Sequence, residues 1–121
     1  MKTEKVFVYG SLKKGFGNHP LLDGAEFLGN GVIKGFDMYS LGAFPAIVPS
    51  EKGIIHGELY DVSPDIFQNL DWLEGYPDFY DRKPVSVHVT GTTHHDVDDV
   101  WVYFHHEPYP EAMFVGDGNW R

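Results

Sequence analysis

The stretch Ser63–Gly75, SPDIFQNLDWLEG, carries the clear helix signals of this 121-residue chain. Its first residue is a good N-cap, and Pro64 is pre-organised for the first helical position because its φ angle is fixed. The aspartate that follows complements the positive end of the helix dipole, and Gly75 supplies a stop. The sequence therefore predicts one main helix, over Pro64–Glu74.

Short extended segments surround this helix. Val6–Tyr9 has the β-branched and aromatic enrichment of a buried strand, and Val85–Thr90 alternates valine with polar residues, as a strand covered on one face does. In Ile54–Tyr60 the central Gly57 would let another backbone or a ligand come close. Further extended pieces are Ala25–Ser40, Ala46–Val48 and Val100–Phe104. Many strands and one helix predict an α+β fold, which we expect to form a single domain over residues 1–121.

Composition narrows the function. The formal net charge is −9 and the pI is near 5.0, which disfavours binding to nucleic acid or to an anionic membrane surface. The chain has no cysteine, so disulfides, thiolate catalysis and cysteine-ligated metals are excluded. The apolar run that opens the chain is too short for a signal sequence or a membrane span. We therefore expect a cytoplasmic protein.

Glu74 occupies an unusual position on the predicted helix. At about 100° per residue, Glu74 falls inside the apolar arc, between Leu70 and Phe67. Burial and the negative end of the helix dipole both raise the pKa of a carboxyl group there, which suits a general base and acid near neutral pH. The alternative is a glutamate in a fraying last turn that swings out to solvent or pairs with Arg82 or a lysine.

The loop after the first strand, Val8–Gly15, offers successive backbone N–H groups in a turn flanked by glycines. Such a turn can bind an anion or a developing oxyanion. The spacing fits neither a phosphate-binding Walker loop nor a dinucleotide fingerprint. On its own, a plain turn that ends a strand is the simpler interpretation of this loop.

Taken together, these segments resemble the γ-glutamylcyclotransferase-like superfamily in order and spacing, across nearly the whole chain. The first loop, with leucine at position 12 and basic residues after it, is most similar to the compact γ-glutamylamine cyclotransferase branch. The segments that carry the resemblance are Phe7–Gly15, Asn18–Leu22, Phe44–Ala46, His56–Tyr60, Leu70–Gly75, Phe79–Arg82 and Gly118–Trp120.

The resemblance implies a small mixed β-barrel with one main helix and short flanking helices, and it implies no metal and no organic cofactor. It also implies that Glu74 is the catalytic residue and that Tyr9, Gly10, Ser11 and Leu12 hold a γ-glutamyl group. The expected reaction is intramolecular attack of the substrate's α-amino group on its γ-carbonyl, which releases 5-oxoproline and an amine. A related amide-cleaving or acyl-transferring enzyme, and a binding module without turnover, remain alternatives.

Three further residues are candidates for substrate binding. Tyr80 and Arg82 follow Glu74 closely enough to line the same pocket, although Arg82 would equally suit an ion pair with Asp78 or Asp81. Tyr103 lies opposite its neighbouring apolar strand residues, so its hydroxyl can reach a pocket mouth, although a tyrosine there can also belong to the core or the barrel exterior.

Two histidine pairs, His94-His95 and His105-His106, raise the alternative of a metal site. Adjacent strand residues point to opposite faces, so neither pair readily chelates one ion, and a solvated polar loop is the simpler interpretation. We therefore expect no metal site. No coiled-coil seam is visible, and we expect a monomer whose partner is a small-molecule γ-glutamyl substrate.

Overall fold

The computed structural model describes residues 2–91 and 95–121. Six strands occupy about half of the described residues, with one α-helix and one 3-10 turn at His19–Leu22. In chain order the elements are β1 (Glu4–Val8), β2 (Glu26–Ser40), β3 (Pro45–Val62), α1 (Pro64–Glu74), β4 (Asp81–Val89), β5 (His95–Phe104) and β6 (Met113–Val115).

Five of these strands close into a mixed barrel. The neighbour order is β3-β1-β5-β4-β2, and a long β2–β3 pairing joins the two ends. The β1–β5 pair is parallel and the other pairs are antiparallel, while β6 extends the barrel by pairing with the end of β2. The predicted small mixed barrel is confirmed. Of the predicted short flanking helices, the described residues contain the 3-10 turn at His19–Leu22.

Strand β3 is longer than the sequence predicted. We expected separate pieces at Ala46–Val48 and Ile54–Tyr60, but one strand runs through both. Pro49 does not interrupt this strand. It pairs with Phe36 beside a register shift in β2, where the missing N–H donor of the proline is tolerated. The long β2–β3 hairpin that results places its connection at one end of the barrel.

Strand β1 is buried on both faces and separates two apolar clusters. Phe7 belongs to the barrel interior, together with Val100 and Val102 of β5. Val6 and Val8 face outward, where Leu70 of α1 packs over them. The helix thus lies against the outer face of the barrel beside the end of β1. At Gly57 in β3, an added Cβ would collide with the backbone oxygen of Val8, so the predicted close approach of another backbone is confirmed.

Within residues 2–91 and 95–121, no helix is long and apolar enough to cross a membrane.

Candidate active site

Helix α1 is capped at both ends, which fixes its bounds at Pro64 and Glu74. The Oγ atom of Ser63 accepts a hydrogen bond from the Ile66 N–H over 3.2 Å. At the other end, Gly75 adopts the left-handed conformation with φ of 66°, and its N–H reaches the carbonyl oxygen of Trp72 over 3.2 Å. The predicted helix bounds are confirmed, and the chain turns sharply just after the glutamate.

The loop after β1 forms a compact turn beside the helix end. The Lys13 N–H closes the turn by donating to the Gly10 carbonyl oxygen over 3.0 Å. The backbone N–H and the side-chain amide of Asn18 each donate a 2.9 Å hydrogen bond to Ser11, to its carbonyl oxygen and to its Oγ respectively. In the described part of the chain, the N–H groups of Gly10, Ser11 and Leu12 donate to no protein acceptor. The loop is therefore rigid and keeps donors available.

A cavity of about 390 Å³ lies between this loop, the end of α1 and the β2–β3 connection. That volume is in the range of small-molecule sites. The structure brings seven predicted residues together in its lining: Tyr9, Gly10, Ser11, Leu12, Glu74, Tyr80 and Tyr103. The remaining lining residues are Phe7, Val8, Asn18, Ala43, Phe44, Pro45, Leu73 and Phe79.

Glu74 is the one charged side chain in the described lining of this cavity. It is partly buried, and within residues 2–91 and 95–121 its carboxylate makes no hydrogen bond or ion pair. Burial disfavours the charged form and raises the pKa of Glu74 to about 7. The alternative of a pairing with Arg82 or a lysine is wrong, and burial accounts for the raised pKa.

Three tyrosines surround Glu74, and each directs its hydroxyl elsewhere. Tyr9 donates to the carbonyl oxygen of Tyr103 over 2.7 Å, and Tyr80 donates to that of Pro45 over 2.6 Å. Burial and the nearby Glu74 carboxylate raise the pKa of all three phenols above the ordinary value, so they stay protonated at neutral pH. Glu74 is thus the group in the described lining that changes charge near pH 7.

Tyr103 is the third of these tyrosines. Val100, Val102 and Phe104 face the barrel interior while Tyr103 faces the helix, as the alternation predicted. Its hydroxyl donates to Oδ1 of Asp71 over 2.7 Å. The ring therefore forms part of the cavity wall, and the hydroxyl binds the helix.

Arg82 lies apart from the cavity, contrary to the expectation that it lines the pocket. Its guanidinium binds both carboxylate oxygens of Asp71, with Nε 2.9 Å from Oδ1. It also stacks on aromatic rings, with Cζ 4.2 Å from the ring centre of Tyr76 and 4.4 Å from that of Trp101. The predicted ion pair of Arg82 with Asp78 or Asp81 is also wrong. The Arg82 side chain pairs with Asp71, which faces it across the contact between helix and barrel.

Sequence reasoning missed most of the apolar lining. Phe44 and Phe79 were recognised only as parts of family-like segments, and Leu73, which is 37% exposed at the cavity, was not recognised as a lining residue. Asp71 was missed although it stands three residues before Glu74, a spacing that places both on neighbouring parts of one helix surface.

The histidines do not gather into a metal site in the described residues. His105 is buried among the rings of Phe79, Tyr80 and Tyr109, whereas the adjacent His106 points outward to Asp81, with Nε2 3.0 Å from Oδ2. No group of three or more potential ligands occurs in residues 2–91 and 95–121. His94 lies outside the described residues.

Known proteins match this chain over most of its length. The family model described as "Gamma-glutamyl cyclotransferase, AIG2-like" matches residues 6–121. A Methanocaldococcus jannaschii protein named "Putative gamma-glutamylcyclotransferase" is 38% identical over 98% of this chain and 96% of its own length. The crystal structure of an AIG2-like protein from Mus musculus has a TM-score of 0.80 at 29% identity, covering 92% of this chain and 82% of that one. The solution structure of YtfP from Escherichia coli has a TM-score of 0.69 at 30% identity, covering 96% and 95%.

Proposed function

Because the chain belongs to the gamma-glutamyl cyclotransferase, AIG2-like family, we propose that it cleaves a γ-glutamyl amide by attack of the substrate's own α-amino group. The new bond joins the α-nitrogen to the carbon of the γ-carbonyl group, and the bond from that carbonyl carbon to the leaving nitrogen breaks. The products are 5-oxoproline and a free amine. The observation that carries this proposal is the Glu74 carboxyl group at the cavity, which has no partner among the described residues and whose pKa is raised to about 7 by burial.

Glu74 is assigned both proton transfers. Its carboxylate accepts a proton from the α-ammonium group and thereby frees the nucleophile. The resulting carboxylic acid then returns a proton to the departing amine. A group with a pKa near the working pH performs both steps well, because each protonation state is accessible without a large free-energy cost.

The loop after β1 is assigned to the anionic oxygens of the γ-glutamyl group. The N–H groups of Gly10, Ser11 and Leu12 border the cavity and donate to no protein acceptor in the described residues. Fixed backbone dipoles of this kind bind a carboxylate or a developing oxyanion without reorganising during the reaction. Asn18 supports this role because its side chain and backbone hold Ser11 in place.

The cavity wall is assigned to orienting the substrate for the attack. The attack is intramolecular, so holding the substrate in its folded conformer contributes several of the roughly 7–11 kcal/mol available from proximity. Tyr9, Tyr80 and Tyr103 have buried rings and committed hydroxyls, which makes them rigid. We therefore assign them to shaping the site, and we assign no proton transfer to them.

The test is release of 5-oxoproline from a panel of γ-glutamyl amines and γ-glutamyl dipeptides. The wild-type protein is expected to release 5-oxoproline and the amine in equal amounts. Glu74→Gln is nearly isosteric and should lower kcat/KM by about 10²- to 10⁴-fold, the usual contribution of general acid–base catalysis. Glu51→Gln, at an exposed position on β3, is the matched control and should keep full activity.

Two outcomes would overturn the proposal. Release of the glutamyl group as free glutamate or its transfer to an acceptor would indicate a different amide-cleaving or acyl-transferring enzyme. Binding of the panel without any product would indicate a binding module.

A further inference from the structure

Lys13 is a buried lysine in the loop after β1. Its residue is 8% exposed, and among the described residues no other lysine, arginine, aspartate or glutamate is buried. It does not line the candidate active-site cavity, and it forms no ion pair with a described residue. A buried ammonium group loses its hydration, and this cost must be offset by hydrogen bonds. The partners of the ammonium group therefore indicate what the lysine does.

These partners lie in the C-terminal segment, Asp117–Arg121. The Nζ atom of Lys13 donates to the carbonyl oxygen of Trp120 over 2.7 Å and to Oδ1 of Asn119 over 3.2 Å. The two partners stand 107 and 106 residues further along the chain. The lysine side chain therefore joins the loop after β1 to a segment that is distant in sequence.

The C-terminal segment is itself fixed to the barrel. The His56 N–H of β3 donates to the Gly118 carbonyl oxygen over 2.9 Å. Gly118 has a φ angle of 64° and lies so close to β3 that an added Cβ would collide with the carbonyl oxygen of Ile54. Trp120 packs against the apolar cluster of the barrel interior. Lys13 is thus tied, through this segment, to the rigid part of the molecule.

Lys13 also occupies the last position of the turn that carries the free donors. Its own N–H donates to the Gly10 carbonyl oxygen over 3.0 Å, so Ser11 and Leu12 are the central residues of this turn. At the first position, Gly10 packs against Pro45, whose Cγ atom would be 2.7 Å from an added Cβ. The two ends of a turn set the direction of the N–H groups between them. Fixing Lys13 by its side chain therefore fixes these donors.

From these contacts we infer that Lys13 is a positioning residue, which ties the turn to the C-terminal segment and so aims the N–H groups of Gly10–Leu12 at the anionic oxygens of the substrate. The inference rests on the proposed function, which assigns these donors to the γ-glutamyl group. Lys13 acts through the backbone and transfers no proton. Its effect is large because a displacement of about 1 Å in such a site costs roughly 10²-fold in rate.

The first experiment measures release of 5-oxoproline by Lys13→Met and Lys14→Met. Methionine is unbranched and fills similar space without a donor, so Lys13→Met should fold as the wild type does and lower kcat/KM roughly 30- to 100-fold. Lys14 is the matched control: it is exposed, and its backbone N–H keeps its 3.0 Å bond to Oε1 of Glu58 in the variant. Lys14→Met should keep the wild-type kcat/KM. Equal losses in both variants would show that charge alone matters and would overturn the inference.

The pH profile separates positioning from a general disturbance of the site. The rise of kcat/KM with pH should keep its midpoint in Lys13→Met, because Glu74 and its surroundings are unchanged. A shifted midpoint would show that the substitution reaches Glu74 and would contradict the role assigned to Lys13.

Asn119→Ala tests whether Lys13 acts through the C-terminal segment. It removes one of the two acceptors and should lower kcat/KM about threefold. In the Lys13→Met background it should have no further effect, because the bond is already absent. Additive losses would show that Lys13 acts in another way. Where Lys13→Met does not fold, Asn119→Ala alone tests the anchor, and full activity in it would overturn the inference.

Amide hydrogen exchange, followed by NMR, measures the anchor without any substrate. The N–H groups of residue 13 and of Asn18 are bonded across the turn, to the carbonyl oxygens of Gly10 and Ser11. Both should exchange roughly tenfold faster in Lys13→Met, while the amides of β1 keep their rates. Unchanged exchange at both positions would overturn the inference and leave the proposed function standing. A wild type that releases no 5-oxoproline would overturn the proposed function, and the exchange rates would still decide whether Lys13 fixes the turn.

Discussion

The hydroxyl group of Tyr103 donates a 2.7 Å hydrogen bond to Oδ1 of Asp71, the same oxygen that receives Nε of Arg82. This pair connects the last barrel strand to helix α1, one turn before Glu74. The connection fixes the position of the helix end relative to the cavity wall. It also means that the Tyr103 hydroxyl is already engaged and is not directed at a substrate.

Tyr103→Phe is therefore expected to affect stability more than catalysis. The change removes a hydrogen bond to a charged group and should lower the free energy of unfolding by about 1.5–3 kcal/mol. It should change kcat/KM by only a few-fold, since the ring that lines the cavity is retained. Urea denaturation and 5-oxoproline release measure the two effects. A large loss of kcat with unchanged stability would show that the hydroxyl contacts the substrate.

Arg82→Lys should destabilise the protein although the charge is kept. The lysine cannot form the two-point contact with Asp71, and it loses the stacking on Tyr76 and Trp101. We expect a loss of about 2 kcal/mol in the free energy of unfolding by chemical denaturation.

The matched control for this change is Arg121→Lys, since Arg121 forms an exposed pair with Asp117. Its effect on the free energy of unfolding should be too small to resolve, because an exposed ion pair contributes little to stability. Similar small effects for both variants would contradict the structural role of Arg82.

Gly57→Ala tests the close packing of β1 on β3. An added Cβ would collide with the Val8 backbone oxygen and the Phe7 ring, neither of which can move without opening the barrel. We expect a loss of about 3 kcal/mol or more in stability, or no folding, as measured by circular dichroism during thermal unfolding. Gly17→Ala, which meets nothing within 4 Å, is the control and should unfold as the wild type does.

Glu74→Gln should stabilise the protein above neutral pH. The folded-state pKa of Glu74 is raised to about 7 from 4.5, so the folded form binds more protons than the unfolded form between these values, and stability falls as pH rises through this window. The glutamine side chain does not ionise, so the variant avoids this loss and should exceed the wild type by at most about 3 kcal/mol above pH 7. The difference should shrink to nothing below about pH 4.5. Denaturation at several pH values checks this, and a wild type that is the more stable at pH 8 would contradict it.

The sequence predicted the local features well. The bounds of α1 followed from Ser63, Pro64 and Gly75, because capping is decided by residues close in the chain. The alternation in β5 placed Tyr103 on the correct face for the same reason. The position of Glu74 on the helix wheel predicted partial burial and a raised pKa. The side chain is half-buried in the structure, and this burial raises its pKa to about 7.

The features that the sequence did not reveal depend on contacts between distant segments. The choice of Asp71 as the partner of Arg82 is set by how α1 lies on the barrel, and nearer acidic residues were the natural candidates. The barrel's closure by β2 and β3 joined two predicted pieces into one strand. The cavity lining combines the β2–β3 connection with the segment after α1, and no pattern within either segment predicts that they meet.

The most direct test of the central claim is the pH dependence of kcat/KM for release of 5-oxoproline, since this parameter reports the ionisation of groups in the free enzyme. If the Glu74 carboxylate is the base and burial sets its pKa, activity should rise with pH through about 7, and the rise should be absent from the residual activity of Glu74→Gln. An apparent pKa at or below 4.5, or the same rise in the glutamine variant, would contradict the assignment of Glu74.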